Sequence, residues 1–402
     1  METAGGRTGG AIWLCAVVLR LALVPLPLTL SDDAQRYLWD GKVAGAGLNP
    51  YRFPPAATEL TSLRDEIWQR LPHTDVPTVY PPLAMTAFSI ASRAPFPLLA
   101  WKAIATAADL GACALLLALA RRRGIPLGRT VWYAWNPLVL LEVAGAGHVD
   151  ALGVAAMLGA ALCLTPRNPE GRPAPRSAIL AALCAAAGVL AKLAPAAALL
   201  MWGRQSGRPR RFLAVSCGLT LLAFLPVVIS VRGVPPGLVT YGLSWEFNGP
   251  LYEPLWRVLD ISGAAPALAR GVDRLKETTR MWETWNPIYP YLYPQLLAKA
   301  LLALAMLAAV LRSLRDRDPV AGTGRLFGSL LLLSATVYPW YVLWVLPWAA
   351  LTRNTAWLAL SALILLSYLP KIAGVPLMPW VYLAIWLPFG ALLLLGKGWG
   401  KG

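Results

Sequence analysis

The sequence predicts an all-α, polytopic membrane protein with about twelve transmembrane helices and a long first extracytoplasmic loop carrying juxtamembrane helices. Three observations carry that prediction. Hydrophobic residues are 57% of the 402 and charged residues only 14%, too little polar surface to enclose a water-soluble core. Apolar runs of roughly 15 to 22 residues recur along almost the whole chain, close to what a helix needs to cross the hydrocarbon. The alternation of a barrel is absent, so backbone groups in lipid have to find their hydrogen bonds inside helices.

The expected spans lie near residues 11–30, 98–120, 130–146, 151–164, 178–191, 193–203, 212–231, 290–312, 325–337, 341–352, 355–369 and 378–396. Cations fix their direction. The formal charge of +16 would point to nucleic acid in a soluble protein, but Arg gathers in short clusters between apolar runs, at 121–129, 166–176, 203–211 and 312–318, which hold 14 of the 36 Arg and Lys. The positive-inside rule puts those clusters on the cytoplasmic side, together with Arg7, Lys397 and Lys401. No nucleic-acid partner is expected.

The first run is expected to stay as a span rather than leave as a signal peptide. No small-x-small cleavage site precedes Ser31, and Arg20 interrupts the apolar core. Residues 81–95 are apolar but short, and a full crossing there would move Arg121, Arg122 and Arg123 to the wrong side, so a surface or re-entrant helix is expected. Two long segments then face outward, 31–97 and 232–289, inside a single domain spanning 1–402. The five cysteines, Cys15, Cys113, Cys163, Cys184 and Cys217, lie in or at the ends of apolar runs without metal-ligand spacing. Neither a disulfide framework nor a metal is expected, and no cofactor motif is found.

Chemistry concentrates where the first span emerges, in "SDDAQRYLWDG" at 31–41. Ser31 or Asp32 suits a helix cap and Gly41 a stop, which places Asp33, Arg36, Tyr37 and Asp40 at i, i+3, i+4 and i+7 on one face. The plain reading is a cap with solvated salt bridges. Against it stand the membrane boundary, the spare carboxylate of an adjacent pair, and "GLNPYRFPP" behind it, a rigid turn that folds the loop back over the helix. Further ionisable groups fall at the outer ends of later spans: His148 and Asp150 between the third and fourth, Lys192 between two short runs. An ionisable group near the hydrocarbon costs roughly 2.5 to 3.5 kcal/mol at a helix centre and is a functional-site candidate. Arg20, Asp109 and Glu142 read instead as structural pairs within the bundle. Aromatic stretches at 77–82, 241–256, 282–294 and 338–348 fit an interfacial belt, or a groove for sugar rings and an isoprenoid tail.

The acidic pair followed by Arg36 and Tyr37, then G-x-N-P-Y at 47–51, Y-P-P at 80–82, W-N-P-L at 135–138, G-H-V-D at 147–150 and P-W-Y-x-L-W-x-x-P at 339–347 together resemble the integral-membrane glycosyltransferases of the GT-C superfamily. The similarity is closest to bacterial polyprenol-phosphate-mannose-dependent mannosyltransferases. That resemblance implies inverting transfer of a sugar, mannose first, from a polyprenyl-phosphate donor to a hydroxyl of a glycan, lipid or protein acceptor. It implies a multi-pass protein of the bacterial inner membrane, acting on the extracytoplasmic side among membrane lipids. It implies an aspartate base in the first outward loop. Related D-x-x-R-Y sequences put the base at Asp33, with Asp32 second, and the Asp-Asp pair in place of Asp-Glu leaves the choice between them open. Arg36 and Lys192 are then the cations for the departing phosphate, His148 and Asp150 orient acceptor or phosphate, and Tyr37, Asp40 and Tyr80 shape the sugar pocket. A transporter or flippase of a lipid-linked or polar substrate explains the buried charges equally well but not the long outward loop. Against a non-catalytic scaffold or assembly subunit stands the retained Asp pair.

Overall fold

A computed structural model describes residues 2–166, 171, 173–396, 398 and 399. Arg167, Arg172, Lys397 and Lys401, four of the cations read as topology signals, lie outside the described residues. Among the described residues the chain is helical without a strand, apart from isolated bridges of Phe247 and Asn248 to Thr336.

Among the described residues, six helices are long and apolar enough to cross a bilayer: Gly6–Leu23, Pro97–Arg122, Pro209–Val231, Pro294–Ser313, Thr355–Ala373 and Leu377–Leu395. Three of them open on a proline, which surrenders no hydrogen bond at a first helical position. The expected count of about twelve is therefore met by six on length and composition. The other apolar segments are helical but short or broken. Asp150–Leu164 and Pro175–Ala191 have 15 and 17 residues, reaching about 22 to 26 Å at 1.5 Å per residue against a core of about 30 Å. The 130–146 segment breaks at Pro137, where the Asn136 side chain accepts from the Leu138 N–H, and continues as a π-helical turn over Leu140–Gly145. The 193–203 segment follows an extended Lys192, and 341–352 is split between a tight turn at Pro339–Trp344 and Leu346–Thr352. Irregular backbone at such depth is tolerated where protein or a cavity surrounds it.

The helices that carry the argument are α1 (Glu2–Leu23), α2 (Asp33–Gly45), α3 (Pro82–Ser92), α4 (Pro97–Arg122), α5 (Asp150–Leu164) and α6 (Pro175–Ala191). α1 is pinned to α4 inside the bundle: Arg20 Nε lies 2.7 Å from Asp109 Oδ2, and the Tyr133 hydroxyl donates to Asp109 Oδ1 at 2.6 Å. Arg20 also donates to the Ala16 and Ala134 carbonyls, so a fully buried cation and its counter-ion are both satisfied. The structural reading of this pair holds.

The described residues of the basic clusters meet at one end of the bundle. Arg123, beyond α4, forms a two-pronged pair with Asp318 at 2.7 and 2.9 Å, Gln205 reaches the Asp316 carbonyl, and Arg208 the Pro173 carbonyl. α5 and α6 run from that end to the opposite one, where α5 starts at Asp150 and α6 hands over to Lys192.

At that opposite end α2 packs across α3. Gly41 is not the stop expected of it, since α2 continues to Gly45. A Cβ on Gly41 would come within 2.4 Å of the Phe88 backbone, so the glycine is what lets the two helices touch. The turn at 49–53 folds back as expected: Asn49 accepts from the Tyr51 N–H, Thr78 N donates to the Pro50 carbonyl, and the Tyr51 hydroxyl donates to the Tyr80 carbonyl. Beyond it, Trp39, Val43 and Leu60 nucleate a small separate core with Phe53, Ile67 and Trp68.

A candidate active site opposite the basic end

The first turn of α2, the non-helical segment 72–81, the break after α6 and the aromatic segment 338–344 surround a cavity of about 340 Å³. That is within the ~300 to 1,000 Å³ typical of small-molecule sites. Asp33, Arg36, Tyr80 and Lys192 line it, with His73, Tyr241, Trp245, Tyr338, Trp340, Tyr341 and Trp344.

Asp32 and Asp33 separate cleanly. Asp33 is on the cavity wall with its side chain 29% exposed, and its backbone N–H donates to Ser31 Oγ. Asp32 caps α2 by position but makes no side-chain capping bond, turning away to Lys371 at 2.8 Å with 47% of its side chain exposed.

The shared helix face forms as the spacing predicts. Arg36 Nε donates to Asp40 Oδ1 at 2.9 Å, and its two terminal nitrogens donate to the His73 carbonyl at 2.9 Å and the Val76 carbonyl at 2.6 Å. The guanidinium thus clamps segment 73–76, including a His73 held at a φ of 50°. Burial pushes the Asp40 carboxyl up, against the pull of Arg36 and Thr78. Tyr37 is buried under Tyr80 and stacks on Phe88 at 4.7 Å. Burial pushes both phenols well above their usual range; Tyr80 and the carboxylates of Asp33 and Asp150 add to it for Tyr37, while for Tyr80 the carboxylates of Asp33 and Asp40 add to it against the pull of Arg36 and the Tyr37 hydrogen bond. Both remain hydroxyls at neutral pH, and Asp33 is the acidic side chain among the described residues that line the cavity.

Lys192 ends α6 in an extended conformation, where the helical run breaks before Pro195. Its Nζ lies 3.3 Å from both oxygens of Asp150 and sits over the Tyr341 and Trp344 rings at 5.1 and 5.8 Å. Asp150 itself is fully buried and also accepts from the Trp344 indole at 2.7 Å. His148 is fully buried too, stacked on Trp340 at a centroid distance of 3.8 Å. Neither His148 nor Asp150 lies on the cavity wall. Each touches a residue that does: Lys192 for Asp150, Asp33 and Trp340 for His148.

Sequence reasoning passed over two residues. His73 lines the cavity and packs on Trp245 at 4.5 Å; its only sequence signal is that it is one of two histidines in the chain. Glu142, read as a structural pair, has Oε2 3.2 Å from His148 Nε2. The π-helical turn that carries it is not a pattern periodicity reveals.

Residues 7–204 match the model of the MptA_B family, alpha-(1->6)-mannopyranosyltransferase, N-terminal domain. That is a GT-C-type mannosyltransferase family, as the sequence motifs suggest, and the matched segment holds every candidate residue from Asp32 to Lys192. No curated protein and no solved structure matches the chain. The family supports a mannosyltransferase activity in an integral membrane protein, with a sugar donor and an acceptor as its partners.

Proposed function

From a mannosyltransferase-family domain over residues 7–204, we propose that this protein transfers mannose from a polyprenyl-phosphate donor to an acceptor hydroxyl, with inversion, and that Asp33 is the base. The observation that supports it most is the pairing of one partly exposed carboxylate, Asp33, with one partly exposed ammonium, Lys192, on the walls of the same cavity.

The acceptor hydroxyl attacks the anomeric carbon. As the new C–O bond forms, the O–H proton passes to Asp33, and the bond from the anomeric carbon to the phosphate oxygen breaks with its electron pair. Positioned proton transfer of this kind is worth roughly 10² to 10⁴ in rate. The departing polyprenyl phosphate gains a negative charge, and Lys192, held by Asp150 and by two aromatic faces, is the cation for it. A fixed cation aimed at charge that develops during reaction lowers the barrier more than it tightens ground-state binding. Arg36 has a different part: with three donors committed to Asp40, His73 and Val76, it holds the cavity wall. Tyr80, Trp245 and Tyr338 offer ring faces to a sugar, and Leu193, Ala194, Leu238 and Leu330 offer an apolar lining to the first isoprene units.

The grouping of the described basic-cluster residues at one end and of these groups at the other supports a cytoplasmic basic end and an extracytoplasmic reaction in a bacterial inner membrane. The test is transfer of labelled mannose from a polyprenyl-phosphate mannose by the purified protein. Movement of the donor across sealed vesicles without transfer would replace this reading with a flippase.

A further inference from the structure

Behind Asp33 lies a chain of buried groups that the reaction as written does not use. The Tyr368 hydroxyl donates to Glu142 Oε1 at 2.8 Å, and Glu142 Oε2 lies 3.2 Å from His148 Nε2. On the other edge of the imidazole, Nδ1 is 3.4 Å from the Tyr37 hydroxyl and 3.9 Å from Asp33 Oδ2. Glu142 and His148 are both fully buried, and the ring is pinned flat by Trp340. Neither Glu142 Oε2 nor His148 Nε2 has an aligned hydrogen-bond partner, and the two atoms face each other at 3.2 Å.

A buried carboxylate with one of its two oxygens left without an aligned donor carries a desolvation cost, and a wholly apolar side chain at position 142 would avoid that cost. The carboxylate is placed where only one imidazole nitrogen reaches it. A carboxylate facing Nε2 favours the proton there, which turns the Nδ1 lone pair toward Tyr37. Tyr37 lies 3.5 Å from Asp33 Oδ2, and a phenol whose proton is drawn to Nδ1 no longer donates to Asp33. Asp33 then keeps its lone pairs for the acceptor hydroxyl.

We propose that Glu142, anchored by Tyr368, is a positioning residue that acts through His148 and Tyr37 to hold Asp33 free as the base. The inference rests on the mannosyl-transfer reading above and assigns a use to a glutamate that sequence alone reads as structural.

The test is steady-state mannosyl transfer by the purified full chain carrying Glu142→Gln, Tyr368→Phe, Asp33→Asn, and Glu142→Gln with Asp33→Asn. Glu142→Gln keeps the side-chain volume and is expected to lower kcat by about tenfold or more, within the general-base contribution of roughly 10² to 10⁴, with KM for the lipid donor unchanged. Tyr368→Phe is expected to lower kcat in the same direction and by less. The double variant is expected to be no slower than Asp33→Asn alone, because groups acting through one base do not add. Full kcat in Glu142→Gln and Tyr368→Phe, or losses that multiply with that of Asp33→Asn, would overturn the inference and leave the mannosyl-transfer reading standing. Absence of transfer by the unsubstituted protein would remove that reading instead.

Discussion

Lys192 and Asp150 form a half-exposed pair in which only one member meets the cavity: Nζ lies 3.3 Å from both carboxylate oxygens, with the lysine side chain 17% exposed and the aspartate fully buried. The aspartate also takes the Trp344 indole proton, so it fixes the lysine from behind while the ammonium faces open space.

Lys192→Met is therefore expected to lose about 10² to 10³ in kcat, the scale seen when one stabilising donor is removed from an active site, and also to lower the melting temperature, because it leaves the fully buried Asp150 with the Trp344 indole as its donor. Asp150→Asn is expected to lower both kcat and the melting temperature, because it leaves an ammonium beside a neutral amide in a buried setting. Mannosyl transfer and thermal unfolding of the detergent-purified variants check both. A Lys192→Met protein with wild-type kcat would take the phosphate role away from this lysine.

Arg36 binds Asp40 and two carbonyls at once, a fork geometry that a single ammonium cannot reproduce. Arg36→Lys is expected to loosen segment 72–81 and to raise its amide hydrogen exchange, with KM for donor or acceptor rising as the cavity wall moves. Unchanged exchange across 72–81 would contradict the clamp.

The outward lobe carries a pH signature at Asp65. Burial lifts its carboxyl, but the hydrogen bond from Lys42, the backbone N–H groups of Trp68 and Ile67 and the lysine charge outweigh it and hold the carboxyl below its ordinary value. A lowered folded-state value means that the stabilisation is present above the unfolded value of about 4 and is lost as pH falls through the lower folded one. Hydrogen exchange over 57–71 is expected to accelerate on acidification below about pH 4, and Asp65→Asn to remove that dependence. An identical acid response in the variant would contradict it.

Arg20 and Asp109 are buried with every charged edge occupied, so removing one partner is expected to be costly. Asp109→Ala should destabilise the protein by roughly 3 to 5 kcal/mol, and Arg20→Met with Asp109→Leu by clearly less, since the pair's desolvation cost disappears with both charges. Denaturant titration of the three proteins in detergent checks this. An additive double variant would mean that the two charges do not depend on one another.

Much of the candidate site's geometry was legible in the sequence, and for identifiable reasons. The i, i+3, i+4, i+7 face of α2 needed only helical periodicity, and the Arg36–Asp40 contact is what that spacing produces. Lys192 was visible as a charge between two apolar runs. What stayed hidden depends on tertiary contact. Gly41 reads as a stop because an isolated glycine usually is one, whereas here it admits the Phe88 backbone. Glu142 and His148 are six residues apart in the chain, and only a π-helical turn followed by Gly147 at a φ of 76° brings their side chains together. The span count of about twelve is matched only in part for a related reason: apolar composition alone does not separate a long crossing helix from a short or broken one packed inside a bundle.

The base assignment meets its most direct test in labelled-mannose transfer by Asp33→Asn and Asp32→Asn, purified side by side and shown by melting to be folded. Asp33→Asn is expected to lose about 10² to 10⁴ in kcat, while Asp32→Asn, whose partner is the exposed Lys371, is expected to stay close to wild type. An Asp33→Asn enzyme that turns over at the wild-type rate would contradict the account.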